Sequence, residues 1–207
     1  MANDAATISG VTVKTREDIV LPGDTTFLTD ETALRALHHA PMSRATDKVL
    51  RALDVQCRRI VELSPFCVVS TQGPDGADVS PRGDPPGFVS ILDARTLLVP
   101  DRVGNNRLEA MSNLLVDPRI GILFLVPGMN ETLRINGTAR ITDDAPLLAP
   151  SAMQNHAPKV GLIVTVEEAF LHCAKALVRS DLWNPGNIST ARSCRATRQC
   201  CSTTSGD

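Results

Sequence analysis

Residues 131–142 read ETLRINGTARIT, and the alternation within them decides the fold. Leu133, Ile135, Gly137, Ala139 and Ile141 fall on one side of an extended chain, with Thr132, Arg134, Asn136, Thr138 and Arg140 on the other. A period of two with one polar side specifies a half-buried strand, or a strand whose polar face meets a ligand or a second subunit. Just upstream, Arg119–Val126 (RIGILFLV) is apolar on both faces, as expected near the centre of a sheet or barrel.

The same reading extends outward. FCVVST (66–71) is rich in β-formers, QGPDG (72–76) supplies turn residues, and the next extended run reaches Arg82. GFVSIL (87–92) and RTLLV (95–99) flank Asp93-Ala94, a hairpin turn, and GLIVTVEEAFLHC (161–173) adds one or two strands. Helices are predicted at 31–40, ending before Pro41, and at 105–117, stopped by Pro118. A third is predicted over 44–63, where Val49, Leu50, Leu53, Cys57, Ile60 and Val61 recur every three or four residues. At least six strands with few intervening helices favour an antiparallel barrel over a βαβ architecture. The expected organisation is an N-terminal lead-in with a short helix (1–43), a barrel domain (44–185) and a disordered tail (186–207), rich in Ser, Thr, Arg and Cys.

Composition narrows the function. A chain of 207 residues, 43% hydrophobic and 21% charged, is long enough to bury a substantial core. Its net charge of −2 offers no global attraction to nucleic acid or to an anionic membrane. No apolar run approaches the roughly 20 residues that span a bilayer, and the N-terminal residues lack the pattern of a secretory signal, so a cytoplasmic location is expected. The cysteines form no C-x-x-C pair and show no zinc-type spacing with the histidines, so no metal site is expected. Cys57, Cys67 and Cys173 lie in apolar-patterned segments, where a free thiol behaves as a small hydrophobe.

Any anion site must therefore be local. No P-loop, G-x-G-x-x-G or G-x-S-x-G motif is present. PDRVGNNR (100–107), however, sets Arg102, Asn105, Asn106 and Arg107 between a strand and an expected helix start. Unpaired amides and partial positive charge at a helix start suit a phosphate, and arginine binds one bidentately. Asn105 fits equally well as the N-cap of that helix.

Four polar clusters, SPRGD (80–84), PDRVGNNR (100–107), ETLRINGTA (131–139) and HCAKALVRSDLW (172–183), occur in this order and spacing. As a set they resemble the pyridoxamine 5′-phosphate oxidase-like family of flavin-binding split barrels, over roughly residues 44–185. The resemblance implies a mainly β fold, a six-stranded antiparallel split barrel, in a homodimer with FMN in grooves at the subunit interface. It implies that Arg82, Asn106 and Arg107 hold the FMN phosphate and that Pro100-Asp101 lie beside the flavin. Thr132 stands where the oxidases have a glutamine. Trp183 resembles a tryptophan that reaches the flavin of the other subunit, as ring contact or as interface anchor. Arg82 has a second option in the sequence, an ion pair with Asp84. The implied activity is FMN-dependent oxidoreduction of a small substrate, with reduced nicotinamide as a possible donor and no side-chain nucleophile or base required. Two alternatives remain: a non-catalytic carrier or sensor of flavin or haem, and a reductase that uses the deazaflavin F420.

Overall fold

The computed structural model describes residues 48–187 continuously, together with 25–40 and the short pieces 7–8, 11–12 and 23. The chain divides into two compact units, Met1–Ser43 and Arg44–Asp207. In the first, β1 (Thr7–Ile8) pairs antiparallel with β2 (Val11–Thr12). Helix α1 (Glu31–Ala36) begins at Asp30, whose carboxylate accepts from the Ala33 amide at 2.8 Å and so satisfies a donor that the helix leaves open.

The second unit is built on one antiparallel sheet. Its strands in chain order are β3 (Phe66–Gly73), β4 (Gly76–Gly83), β5 (Ser90–Ile91), β6 (Thr96–Pro100), β7 (Arg119–Leu125), β8 (Thr132–Thr142) and β9 (Gly161–His172). Their spatial order is β4-β3-β7-β8-β9-β6-β5. This is the mainly β split-barrel fold expected from sequence, with seven strands rather than six. Strand β5 is a two-residue edge piece that pairs with β6 across the expected Asp93-Ala94 turn.

One face of the sheet forms the core. Cys67 and Val69 of β3, Ile122 and Phe124 of β7, Leu133 and Ile135 of β8, and Val164 and Val166 of β9 are all fully or almost fully buried. Helix α2 (Val55–Leu63) adds Cys57, Ile60 and Val61, and α3 (Glu109–Val116) adds Met111 and Leu114. Each such side chain stabilises the fold by about 1.5–3 kcal/mol relative to exposure. Across the other face runs a half-buried row, Val68, Leu123, Arg134 and Phe170, in register on β3, β7, β8 and β9. There the Arg134 guanidinium lies 4.1 Å from the Phe170 ring centre, and its Nε is buried without a hydrogen-bond partner.

Two local expectations are corrected. Residues 48–54 are not helical, because Leu50 exchanges both backbone hydrogen bonds with Ala169 at 2.9 Å and is captured by the sheet. Helix α2 starts only where Asp54 accepts from the Cys57 amide at 2.7 Å; residues 44–47 lie outside the described residues. Cys57 and Cys67 are buried as expected, with burial pushing both thiols up to about 12, but Cys173 is exposed. Of the tail expected to be disordered, 188–207 also lie outside the described residues. No helix among the described residues is long and apolar enough to cross a membrane.

Candidate functional site

Strand β4 forms one edge of the sheet, and β6, with its short neighbour β5, stands at the other. The curl of the sheet brings their C-terminal ends to one cleft of about 780 Å³. Three walls line it: the end of β4 (Pro81–Asp84), the connection after β6 (Pro100–Leu108) and the segment before β9 (Met153–Val160). Phe88, Ala110 and Met111 complete it with apolar surface. The volume lies within the range of pockets that enclose a cofactor-sized ligand.

Six of the eight residues singled out from sequence converge here: Arg82, Asp101, Arg102, Asn105, Asn106 and Arg107. Arg82 projects from β4 with Nη1 donating to Ser80 Oγ (3.1 Å) and Pro81 O (2.8 Å). Its second option in the sequence, Asp84, is taken by Arg102 instead. That ion pair is mostly shielded from solvent and fastens the end of β4 to the end of β6, so Arg102 clasps the split of the barrel. A second Arg102 nitrogen, Nη1, donates to Ser151 O at 2.7 Å.

The loop 101–108 differs from expectation in one respect. The helix begins at Glu109, not at 105 or 106. Asn105 Oδ1 accepts from the Arg107 amide at 3.0 Å, and Asn106 adopts a left-handed backbone with φ 57°. An Asx turn followed by a left-handed residue breaks right-handed helical continuation, which is why Asn105 caps a turn and not α3. The N-cap of α3 is Leu108, which offers no side-chain acceptor to the first-turn amides. Arg107 is largely exposed and paired through Nε with Glu109.

Asp101 is the titratable group of most interest. Burial pushes its carboxyl above the ordinary value, against the opposing pull of Arg82 and Arg102. A carboxyl raised in the folded state contributes stability below its unfolded pKa and loses it as pH rises through the folded one. Asp101→Asn should therefore raise the thermal midpoint near pH 7, and the gain should shrink towards about pH 3, below the ordinary carboxylate value. Paired melts at the two pH values check this, and an equal shift at both would show that the charge is not the cause.

The remaining two residues lie outside the cleft. Thr132 is buried at the start of β8, opposite His172. Trp183 is held by its own chain, Nε1 donating to Met129 O at 2.6 Å. Sequence reading missed the third wall, including His156 and Lys159. Its one visible signal was that Lys159 ends a run, Val49–Pro158, in which every basic residue is arginine.

The sequence profile of the family described as pyridoxamine 5′-phosphate oxidase matches residues 53–173, more than half of the chain. The chain belongs to the pyridoxamine 5′-phosphate oxidase family. Among solved structures it is similar to HupZ of Group A Streptococcus, with 17% identity and a TM-score of 0.47 over 57% of this chain and 93% of that one. A Lactobacillus delbrueckii protein assigned as a pyridoxamine 5′-phosphate oxidase matches with 18% identity and a TM-score of 0.45, over 58% and 95% of the two chains. An F420 reductase matches with 16% identity and a TM-score of 0.43, over 54% and 94%. No curated protein matches the chain. Family membership rests on the profile match, whose span includes β4, β6, the 101–108 loop and Lys159.

Proposed function

We propose that the cleft binds FMN by its phosphate and that the protein is an FMN-dependent oxidoreductase, working as a homodimer on a small substrate. The observation that carries this reading is the convergence of Arg82, Arg107 and Lys159 with Phe88 and Met111 in one cleft. Cations beside apolar surface suit a ligand with an anionic tail and a flat, largely apolar ring. A phosphate carries about −1.5 to −2 charges and is best met by arginine and lysine donors. FMN, when bound, supplies the hydride or electron chemistry, and the protein tunes it. The chain's own part is to grip the phosphate, fix the ring's orientation and set the local charge. Asp101, flanked by Arg82 and Arg102, is the carboxyl placed to adjust that charge.

The dimer is inferred from two features. Thr132 and Trp183 do not line the cleft of their own chain, so as flavin contacts they would come from a second copy. The half-buried row Val68, Leu123, Arg134 and Phe170, with its unpartnered Arg134 Nε, suits burial against a partner.

The test begins with the absorption spectrum of the purified protein and titration with FMN. Flavin-type absorbance, or saturable FMN binding by colourless protein, is the expected result. A Soret band, or binding of F420 in place of FMN, would replace the cofactor assignment. An anaerobic survey of donors that bleach the bound flavin then separates an oxidoreductase from a carrier.

A further inference from the structure

We propose that Lys159 is a phosphate-binding residue of the cleft, carried on a fixed wall, 151–160, that is buckled at both ends to Asp101-Arg102. The inference rests on the reading of the cleft as a mononucleotide site. At one end of the wall Arg102 Nη1 donates to Ser151 O at 2.7 Å, and at the other the Asp101 amide donates to Val160 O at 3.0 Å. Two adjacent residues after β6 thus hold both ends of a segment that is remote from them in sequence. Arg102 is in this respect a positioning residue, since the same guanidinium joins the wall to Asp84 on β4.

Between its ends the wall reverses direction in a minimal hairpin. Met153 and His156 exchange backbone hydrogen bonds of 3.0 and 2.8 Å, and the two residues between them, Gln154 and Asn155, are both left-handed, with φ 48° and 65°. This is the primed turn that matches strand twist, normally built with glycine. A left-handed glutamine is uncommon and costs energy that the surrounding structure must offset. Here the hairpin pairing and His156 Nδ1, 2.9 Å from Gln154 O, hold it. Pro158 then restricts the backbone just before Lys159, and Gly161 is already paired with Pro100 just after it. The Lys159 backbone is therefore fixed from both sides.

The ammonium group differs from most of the other cations of the cleft. Arg102 is committed to Asp84 and Arg107 to Glu109. Lys159, like Arg82, has no ion-pair partner among the described residues. A cation with no existing pair to break accepts a phosphate at lower cost, and lysine does so as a point charge that tolerates several oxygen positions. Arg82 and Lys159 stand on different walls, so each can take a different phosphate oxygen.

The test compares FMN with riboflavin, which lacks the phosphate, by flavin fluorescence titration of the wild type and of Arg82→Ala, Lys159→Ala and Lys159→Arg. Lys159→Ala should weaken FMN binding about tenfold or more, as for loss of a charge-assisted hydrogen bond, and leave riboflavin binding within about twofold. Lys159→Arg should recover most of the affinity for FMN. If Lys159→Ala binds FMN as the wild type does while Arg82→Ala does not, the proposal fails and the phosphate reading of the cleft stands. Equal loss of FMN and riboflavin in Lys159→Ala would also overturn it. If neither alanine substitution lowers FMN affinity more than riboflavin affinity, the mononucleotide reading falls, and this proposal with it.

Discussion

Arg82→Ala is expected to weaken FMN binding by about 1.5–3 kcal/mol, the range for a hydrogen bond to a charged group. The Arg82 guanidinium is oriented by Ser80 Oγ and Pro81 O, so little side-chain freedom is lost when it grips an anion. It has no carboxylate partner to surrender among the described residues. Its removal also takes away the larger of the two cationic influences on Asp101, leaving a desolvated carboxylate in the cleft against an incoming phosphate. Both effects act in the same direction. Arg107→Ala should cost less, because Arg107 is largely exposed and must exchange Glu109 for the ligand. Isothermal titration with FMN measures both variants, and an Arg82→Ala affinity equal to the wild type would remove Arg82 from the site.

Much of this arrangement is legible in the sequence, and the parts that are not share a cause. The alternation in 131–142 identifies β8 and its buried face, since a period of two leaves little freedom of register once one side must be buried. The apolar runs at 66–71 and 119–126 likewise become β3 and β7. The loop after β6 stands out because its polar residues interrupt an otherwise apolar stretch. What local pattern misreads is decided by tertiary partners. Leu50 has helical spacing with Leu53 and Cys57, yet Ala169 binds its backbone. Asp84 is close in sequence to Arg82, but the curl of the sheet presents it to Arg102. The 151–160 wall carries no periodicity, and its place depends on two hydrogen bonds to Arg102 and Asp101, far earlier in the sequence.

Gly137→Ala is expected to destabilise the protein by about 2–3 kcal/mol or more, at the upper end of overpacking costs, because the obstruction is main chain and cannot rotate away. A Cβ at Gly137 would lie 1.9 Å from Thr165 O and 3.0 Å from its carbonyl carbon. The close approach arises from a β-bulge. The β8–β9 register runs Asn136↔Glu168 and then Gly137↔Val166, leaving Glu167 as the extra residue. At the same place the Val166 amide turns to Arg95 O at 2.7 Å, joining β9 to the β6 hairpin. Beyond the bulge, Thr138–Thr142 pair with 161–165, and Gly161 pairs with Pro100 beside the cleft. The bulge therefore sets the alignment of β9 with β6 at the point where Asp101 meets Val160. An alanine at 137 must push β9 away or shift its register, so urea unfolding should show a lowered midpoint. The variant should also lose more FMN affinity than its remoteness from the cleft would suggest. A wild-type unfolding midpoint would mean that β8 and β9 do not approach as closely as this bulge requires, and the alignment of Lys159 with Asp101 would lose its structural basis.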